Sequence, residues 1–357
     1  MLFARSRKNL VGLDIGDSAI KLAELKDLGR GRGYQLVSLA TEPLSPEAIV
    51  DGAIMDSGVV VEAIQRLWRN NKIRTKQVST ALSGHSVIIK RVSLPVMNAQ
   101  ELAESIQWEA EQYIPFDIDD VAMDYQVLEG ASLSGEGNMD VLLVAVKKDK
   151  ISDYTSVITQ AGLQPMTVEV DAFSLQNVFE ANYDPEPQQV TALIDIGAAV
   201  TTITVLQGEN PSFWRDINIG GNQYTDAIQK ELSLSAEDAE RLKKGEEVPG
   251  TSPDSVIPIL AAVTEDVCSE IQKTIDFYRA TNASDEPLDK IYLTGGGSQL
   301  GNLKEALSES FRTSVEHLNP FRKIQPPSRG QTQDDMHRLA PGTAVAVGLA
   351  LRKVGDR

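Results

Sequence analysis

The sequence predicts an α/β protein made of two related halves, with a smaller domain inserted into the first half. Two observations support this prediction. An apolar strand, an Asp-Ile-Gly turn and a returning strand occur at residues 11–25 and again at residues 192–206. A later apolar strand, residues 291–294, runs into three glycines and then into a helix-like segment. Repetition of the first pattern indicates a duplicated domain, and the second pattern is typical of α/β folds.

The first hairpin turns at an acidic, glycine-containing segment. Asp14, Gly16, Asp17 and Ser18 form the turn, and Lys21 follows on the returning strand. Because tight turns favour Asp and Gly, a single copy of this pattern indicates only a turn. Two copies, each opening one half of the chain, favour a site that the two halves share.

The second hairpin and the glycine-rich turn carry the matching candidate residues. Carboxylate oxygens suit a phosphate-bound metal ion, and backbone N–H groups exposed by Gly, Ser or Thr suit a polyphosphate. The three glycines precede a helix, so their amides lie at its N-terminus with no side chain in the way. The alternative is a loop whose glycines serve only close packing. These candidate residues are Asp195, Gly197, Thr201, Thr202, Gly295, Gly296, Gly297 and Ser298.

Composition narrows the function class. With 357 residues, 41% of them hydrophobic and 24% charged, the chain suits two or three globular domains. The formal net charge of -17 argues against a nucleic-acid-binding protein, which needs clustered Lys and Arg, and favours a basic partner. Cys268 is the single cysteine, so no intrachain disulfide forms, and the three distant histidines do not indicate a zinc site.

The two ends of the sequence favour a cytosolic protein. Residues 1–8 are basic but lack the apolar core of a signal peptide. The apolar run at residues 344–351 is too short to span a bilayer. The basic leader either touches a membrane surface or is solvated ahead of the first strand.

The chain between the two hairpins changes pattern at about residue 78. Before it, we expect a third strand at residues 34–41 and a helix at residues 56–70 with one apolar face. After it, short strands and helices alternate: strands at 78–82 and 87–92, a helix from Asn98 to before Pro115, strands at 124–128 and 141–146, a flexible loop at 130–138, a helix at 149–161 and a strand at 166–170. Residues 78–168 therefore predict a small inserted α+β domain.

The second half continues with helices and one loop. Gly220, Gly221 and Asn222 precede a helix, and a capping-box-like segment from Ser235 starts the next. A long helix is expected at residues 255–280, a polar, proline-rich loop at 320–338, and a helix of small residues at 342–353.

The two Asp-Ile-Gly hairpins and the later glycine-rich turn, in this order, resemble the actin-like ATPase superfamily. The resemblance implies a duplicated, ribonuclease-H-like two-domain fold that binds ATP and Mg2+ in the cleft between the domains. By this resemblance Asp14 and Asp195 would orient Mg2+ through water, and the glycine-rich turn would hold adenosine. Glu240 and Lys243 would approach the ribose and adenine, although the sequence without this resemblance favours a solvated charged face for them. The inserted α+β domain is of the type found in FtsA, called subdomain 1C.

A second resemblance covers nearly the whole chain. Residues 109–125, residues 168–177 and residues 347–352, together with the two hairpins and the triple glycine, are similar to the PilM family of type IV pilus assembly proteins. That resemblance implies an adaptor at the inner face of the cytoplasmic membrane, which binds the cytoplasmic N-terminal tail of PilN between the first domain and the insert. It also implies contacts with other inner-membrane pilus proteins and with the motor ATPases, and membrane association through these partners.

The resemblance also implies domain limits. The first domain (1A) would comprise residues 1–77, completed by residues 169–189 and the C-terminal helix. The insert (1C) would comprise residues 78–168, and the second domain (2A) residues 190–357, with residues 220–255 as a nucleotide-capping subdomain (2B).

One departure and two alternatives stay open. Asp17 stands where relatives usually have Ser or Thr, and its carboxylate would repel a γ-phosphate unless it bound metal or turned outward. Lys21 would offset that charge or lie on the outer face of its strand. Candidate catalytic residues are Asp171 and Glu169, although helix capping also explains Asp171. The alternatives are a small-molecule kinase or phosphatase of this fold and an FtsA-like filament former, which would normally carry a C-terminal amphipathic membrane helix.

Overall fold

The computed structural model describes residues 10–29, 31–128, 137–282, 287–328, 332–353 and 355. The basic leader and most of the predicted loop at 130–138 lie outside these residues. The strands are β1 (Val11–Ile15), β2 (Ala19–Asp27), β3 (Tyr34–Pro43), β4 (Ile49–Val50), β5 (Ala53–Ile54), β6 (Gln77–Leu82), β7 (Val87–Pro95), β8 (Val121–Val127), β9 (Asn138–Lys147), β10 (Gln164–Val170), β11 (Val190–Ile196), β12 (Thr201–Gln207), β13 (Asn210–Ile217), β14 (Lys290–Thr294) and β15 (Ser314–His317). The helices are α1 (Ser57–Asn70), α2 (Ala99–Ala110), α3 (Lys148–Gln160), α4 (Asp171–Asn182), α5 (Gly221–Leu232), α6 (Ala236–Lys243), α7 (Ile257–Asn282), α8 (Leu303–Phe311), α9 (Gln333–Leu339) and α10 (Ala344–Ala350).

Two five-stranded sheets with the same connectivity confirm the duplicated fold. The first has the order β10-β6-β1-β2-β3, and the second has the order β15-β14-β11-β12-β13. In each sheet an antiparallel hairpin, β1/β2 or β11/β12, lies at the centre, and its first strand pairs in parallel with a later strand, β6 or β14. The turn of each hairpin therefore lies at the carboxyl end of the central parallel strand of its own sheet.

The inserted domain is a three-stranded antiparallel sheet, β7-β9-β8, covered by α2. As predicted, α2 starts after Asn98, whose side chain accepts hydrogen bonds from the amides of Gln100 and Glu101, both at 3.0 Å. The apolar side of α2, with Leu102 and Ile106, packs on β9 to form a core of its own. This domain is thus smaller than the sequence pattern suggested.

Sheet pairing changes the expected limits of the insert. The strands β6 and β10, both placed within residues 78–168, pair with each other in parallel, and β6 also pairs with β1. The helix α3 packs its Tyr154, Val157 and Ile158 into the core that also contains Leu13 and Ile64 of the first domain. We therefore propose residues 83–147 as the insert, because β6, α3 and β10 complete the first domain.

The last helix closes the first domain. Helix α10 is buried along its whole length and packs between β1 and α4. The contact is close enough that a Cβ on Gly12 would lie 1.9 Å from the carbonyl oxygen of Ala346, and one on Gly348 would lie 1.9 Å from that of Ser174. The amide of Leu10 also donates to the carbonyl of Arg352.

The segment at 320–338 is not one polar loop. Phe321 and Ile324 are buried in the core shared with α4 and α10. Gln325 forms an isolated parallel bridge with Gln35 beside β3, and α9 occupies the end of the segment. Its prolines are compatible with this arrangement, because extended backbone at the edge of a sheet tolerates missing N–H donors.

Candidate functional site

The two acidic hairpin turns face one another across a single cavity. The turns are held alike: the amide of Gly16 donates to the carbonyl of Ala19 at 3.2 Å, and that of Gly197 donates to the carbonyl of Val200 at 2.9 Å. The cavity offers about 70 Å3 to the centres of water-sized molecules. The cavity is lined by residues of both hairpins, of the turn between β4 and β5, of the segment after β6, and of α3 and α4: Asp14, Ile15, Gly16, Asp17, Ser18, Lys21, Asp51, Gly52, Ala81, Leu82, Ser83, Gly84, Lys150, Tyr154, Asp171, Asp195, Gly197, Ala198, Val200, Thr202 and Val345.

Carboxylates are concentrated in this cavity. Burial, and then the negative charge of Asp14, raise the pKa of Asp171 to about 8 and the pKa of Asp195 to about 7. Burial also raises the pKa of Asp216, which lies beside the cavity on β13. Several buried carboxylates that resist ionisation in one place are stabilised by a bound cation. The arrangement is therefore suited to a metal ion.

Two lysines balance part of this charge, in different ways. Lys21 forms a salt bridge with Asp14 at 3.1 Å. Burial, the largest single effect, lowers the pKa of Lys21, but the attraction and hydrogen bond of Asp14, together with the attraction of Asp195 and Asp171, raise it overall. Lys150, on α3, instead donates a hydrogen bond to the carbonyl of Ser83 at 2.8 Å. Lys21 therefore lines the cavity and does not lie on the outer face of its strand.

The Asp17 carboxylate is bonded to the turn between β4 and β5. Its Oδ1 accepts a hydrogen bond from the amide of Gly52 at 2.9 Å, in the turn between β4 and β5. The carboxylate lines the cavity but is committed to this turn.

The glycine-rich turn lies beside the second hairpin but outside the residues that line the cavity. Gly295 has a φ of 85°, and a Cβ there would lie 2.2 Å from the carbonyl oxygen of Ile196. A Cβ on Gly297 would also meet Ile196, at 2.6 Å from its Cγ2, whereas one on Gly296 would meet nothing within 4 Å. Gly295 and Gly297 thus serve close packing, and Gly296 faces open space. The Ser298 hydroxyl donates to the carbonyl of Gly295 at 2.7 Å.

The start of α5 rests on the second hairpin turn. The amide of Gly221 donates to the carbonyl of Gly197 at 2.9 Å, and that of Asn222 donates to the carbonyl of Ala198 at 2.8 Å. A Cβ on Gly220 would lie 2.7 Å from both of these carbonyl oxygens. The predicted glycines therefore allow α5 to approach the turn closely.

The predicted pair on α6 is joined to α5. Lys243 forms a salt bridge with Glu240 at 2.5 Å and donates to the carbonyl of Gly221 at 3.0 Å. The Glu240 carboxylate also accepts a hydrogen bond from Thr225 at 2.7 Å. Both side chains lie at the α5–α6 junction next to the second hairpin, rather than on a solvated face.

Three further candidates have defined places. The Thr201 hydroxyl donates to the carbonyl of Ile219, and the Thr202 hydroxyl donates to Asp216, both at 2.7 Å. Glu169 is not among the residues that line the cavity. Its carboxylate forms a salt bridge with Arg352 at 2.7 Å and accepts hydrogen bonds from Ser174 and Asn177. Asp171 remains the candidate that faces the site.

Sequence reasoning missed the residues that connect the cavity to the rest of the molecule. Asp216 accepts a hydrogen bond from the amide of Gly84 at 2.6 Å, which joins the second domain to the end of β6. Tyr154 donates to the carbonyl of Gly52 at 3.0 Å. Asp216 comes shortly before Gly220 and Gly221, so its position near a glycine-rich turn was a usable signal. Lys150 and Tyr154 lie in an ordinary amphipathic helix and carry no such signal.

Comparison with known proteins identifies the family. A family model described as type IV pilus assembly protein PilM matches residues 12–354. The chain belongs to the PilM family. A solved PilM-PilN type IV pilus biogenesis complex contains a chain that is 29% identical, with a TM-score of 0.87, over 98% of this chain and 100% of that one.

Other similarities place the PilM-family chain among actin-like folds. The ethanolamine utilization protein EutJ from Carboxydothermus hydrogenoformans is 16% identical, covers 97% of this chain and 90% of its own, and has a TM-score of 0.56. MreB5 of Spiroplasma citri, solved with ADP, is 14% identical, covers 96% and 95%, and has a TM-score of 0.55. The cell division protein FtsA of Rhizobium meliloti is 28% identical over 190 residues, which are 47% of this chain and 41% of that protein.

The described residues contain neither a preformed metal cluster nor a membrane-spanning helix. No cluster of three or more Asp, Glu, His or Cys side chains in this part of the chain forms a ready metal site. Mg2+ commonly uses one or two carboxylates together with phosphates and water, so facing carboxylates fit that ion without such a cluster. None of the helices in the described ranges is both long enough and apolar enough to cross a bilayer.

Proposed function

We propose that this PilM-family protein is an adaptor that binds Mg2+ and ATP in its cleft and PilN in a neighbouring groove. The observation that carries the nucleotide assignment is that Asp14 and Asp195, from the two repeated hairpins, line one cavity. Residues of the two glycine-containing turns line the same cavity, and turns of this kind suit a polyphosphate.

The chain offers a consistent set of nucleotide contacts. Asp14 and Asp195 would hold Mg2+ through water, and Lys21 and the turn amide of Ser18 would meet the phosphates. Gly16 and Gly197, whose amides close the two turns, would let the phosphates approach closely, and Gly296 would give the adenosine access to the second domain. Asp171 would orient a water or hydroxyl group near the phosphates. Bound Mg2+ would supply the positive charge that offsets the repulsion between the facing carboxylates.

A second cavity supports the partner assignment. It has about 220 Å3 of space and lies between the insert, the first domain and the second domain. One wall is β7, which pairs with β9 on one side only among the described strands. The opposite wall includes Val170, Asp171 and Trp214. A strand edge next to apolar pockets is the arrangement that accepts an extended peptide, which supports binding of the cytoplasmic N-terminal tail of PilN there.

The nucleotide proposal is tested by equilibrium binding of ATP, with and without Mg2+. Asp14→Ala and Asp195→Ala should each lower the affinity for Mg2+-ATP by roughly tenfold or more, because each removes a charge-assisted contact. Asp266→Ala, an exposed aspartate on α7, is the matched control and should bind as the wild type does. Unchanged affinity in both cleft variants would refute the assignment.

The partner proposal is tested by binding of a peptide with the PilN tail sequence. Trp214→Ala removes the largest apolar side chain of the groove and should weaken peptide binding by roughly tenfold. Trp108→Ala is the matched control, because this tryptophan is 72% exposed on α2 and is not among the residues that line the groove. Phosphate release at the rate of ordinary kinases would instead favour the kinase alternative. Contacts with the motor ATPases and association with the inner membrane through PilN are further parts of the proposal.

A further inference from the structure

The first domain and the insert are joined by two chain crossings that lie side by side. The chain leaves the first domain at residues 83–86, after β6, and returns at residues 147–150, where β9 continues into α3. The amide of Lys147 donates to the carbonyl of Ser86 at 3.1 Å, and Lys150 Nζ donates to the carbonyl of Ser83 at 2.8 Å. We call residues 83–86 and 147–150 the hinge.

The hinge is the wall between the nucleotide cleft and the groove. Leu82, Gly84 and Asp171 line both cavities. The amide of Gly84 also donates to Asp216 of the second domain. A change on the cleft side of this thin wall therefore reaches the groove without any intermediate layer.

Lys150 is a cation of the cleft without a matching anion. Among the described residues it has no salt-bridge partner, in contrast to Lys21, and its ammonium group donates a hydrogen bond to a neutral carbonyl. Burial lowers the pKa of Lys150, and the attraction of Asp171, Asp17 and Asp216 only partly opposes this effect. Its ammonium group also lies 5.6 Å from the ring centre of Tyr154, which is itself tied to the β4–β5 turn. A partly buried ammonium group in this position is stabilised by an anionic ligand.

We propose that Lys150 binds the terminal phosphate of the nucleotide and that this contact connects the nucleotide state to the groove through the hinge. The inference rests on the proposed function, because it assumes that the cleft takes Mg2+-ATP. A phosphate oxygen is a stronger acceptor than the Ser83 carbonyl, so it competes for Lys150 Nζ. ADP lacks the terminal phosphate and leaves Lys150 on Ser83. The hinge is thus held differently in the two nucleotide states.

Two substitutions separate this role from a structural one. Lys150→Met removes both the charge and the donor. Lys150→Gln removes the charge but keeps an N–H donor for the Ser83 carbonyl, so a purely structural role would be restored by glutamine. Lys148→Met is the matched control, because its ammonium group donates to the carbonyl of Asp119 within the insert at 2.7 Å.

Affinities for Mg2+-ATP and Mg2+-ADP are measured by calorimetry on the full chain. We expect both Lys150 variants to lose roughly tenfold or more in ATP affinity and less than about threefold in ADP affinity. The Lys148 variant should keep both affinities. Equal losses for ATP and ADP, or wild-type ATP affinity in Lys150→Gln, would overturn the phosphate contact.

The groove is followed through Trp214, whose ring lines it. With Trp68 and Trp108 replaced by Phe, the emission of Trp214 should differ between the saturated ATP and ADP complexes, and this difference should vanish in both Lys150 variants. If the difference persists at saturating ATP in these variants, the coupling is refuted. Failure of the wild type to bind ATP would instead refute the proposed function, so the two failures are distinguishable.

Discussion

Replacing Asp195 by asparagine should make the nucleotide-free protein more stable at neutral pH. The folded state raises the pKa of this carboxyl from 3.8 to about 7, chiefly through burial and then through the charge of Asp14. The folded protein therefore binds a proton more tightly than the unfolded chain does. Between about pH 4 and pH 7 the free energy of unfolding falls as the pH rises, because the folded state holds more protons in this window.

The expected change in the free energy of unfolding follows from the rise in the pKa of Asp195. About three units correspond to about 4 kcal/mol at 1.36 kcal/mol per unit, and we expect a gain of about 2 to 4 kcal/mol for Asp195→Asn at pH 7.5. The neutral amide cannot ionise, so the gain should shrink to below about 1 kcal/mol at pH 4, where the wild-type carboxyl is protonated in the folded state and about half protonated in the unfolded chain.

Urea unfolding at several pH values measures this difference. Asp266→Asn, on the exposed side of α7, is the control and should show no pH-dependent gain. A gain for Asp195→Asn that is equal at pH 4 and pH 7.5, or no gain at all, would contradict the electrostatic reasoning. In Mg2+-ATP the ranking should reverse, because the wild-type carboxylate then has a cation to bind.

Three further substitutions test other parts of the structure. Gly296→Ala should leave the free energy of unfolding unchanged in urea unfolding, since a Cβ there meets nothing within 4 Å, but should lower ATP affinity in calorimetry if adenosine approaches this turn. Gly348→Ala should lower the free energy of unfolding by about 3 kcal/mol or more, because its Cβ would lie 1.9 Å from the carbonyl oxygen of Ser174, and Gly296→Ala serves as its control. Asp216→Ala should speed hydrogen exchange of the Gly84 amide roughly tenfold, since a charge-assisted hydrogen bond of 2.6 Å is lost; unchanged exchange would show that this contact does not hold the hinge.

The duplicated hairpins could be predicted from sequence because their signal is local. An apolar strand and an Asp-Ile-Gly turn specify the hairpin within about 15 residues, and finding the pattern twice gave the two-domain fold. The helix starting after Asn98 was equally accessible, since its capping residue and apolar spacing lie within one short segment.

The limits of the insert depend on contacts that are distant in sequence. The change of sequence pattern at β6 is typical of the start of a new domain. Its parallel pairing with β1 and β10 nevertheless places β6 in the first sheet. No periodicity shows which strand will be its partner. The same holds for Phe321 and Ile324, whose apolar side chains are separated by polar residues and acquire a core only from α4 and α10.

Site residues that belong to a sequence motif could be predicted. Site residues whose positions depend on tertiary contacts could not. Asp14 and Asp195 were found through the hairpins. The direction of the Asp17 carboxylate depends on the amide of Gly52, and Lys150 enters the cleft only because α3 packs on the first domain. Glu169, chosen with Asp171 for its place at the junction between the two halves, is instead bound to Arg352, and this contact joins segments far apart in the sequence.

The burial of α10 has a consequence for synthesis of the chain. The first sheet begins at β1, yet the helix that covers β1 is made of residues 344–350, so the ribosome delivers it after all the strands of that sheet. Until then the apolar face around Gly12 has no cover, and the nascent first half exposes it to chaperones and to other nascent chains. The second domain, whose strands and helices lie between residues 190 and 317, has its whole sheet available earlier and is expected to fold before its partner is complete.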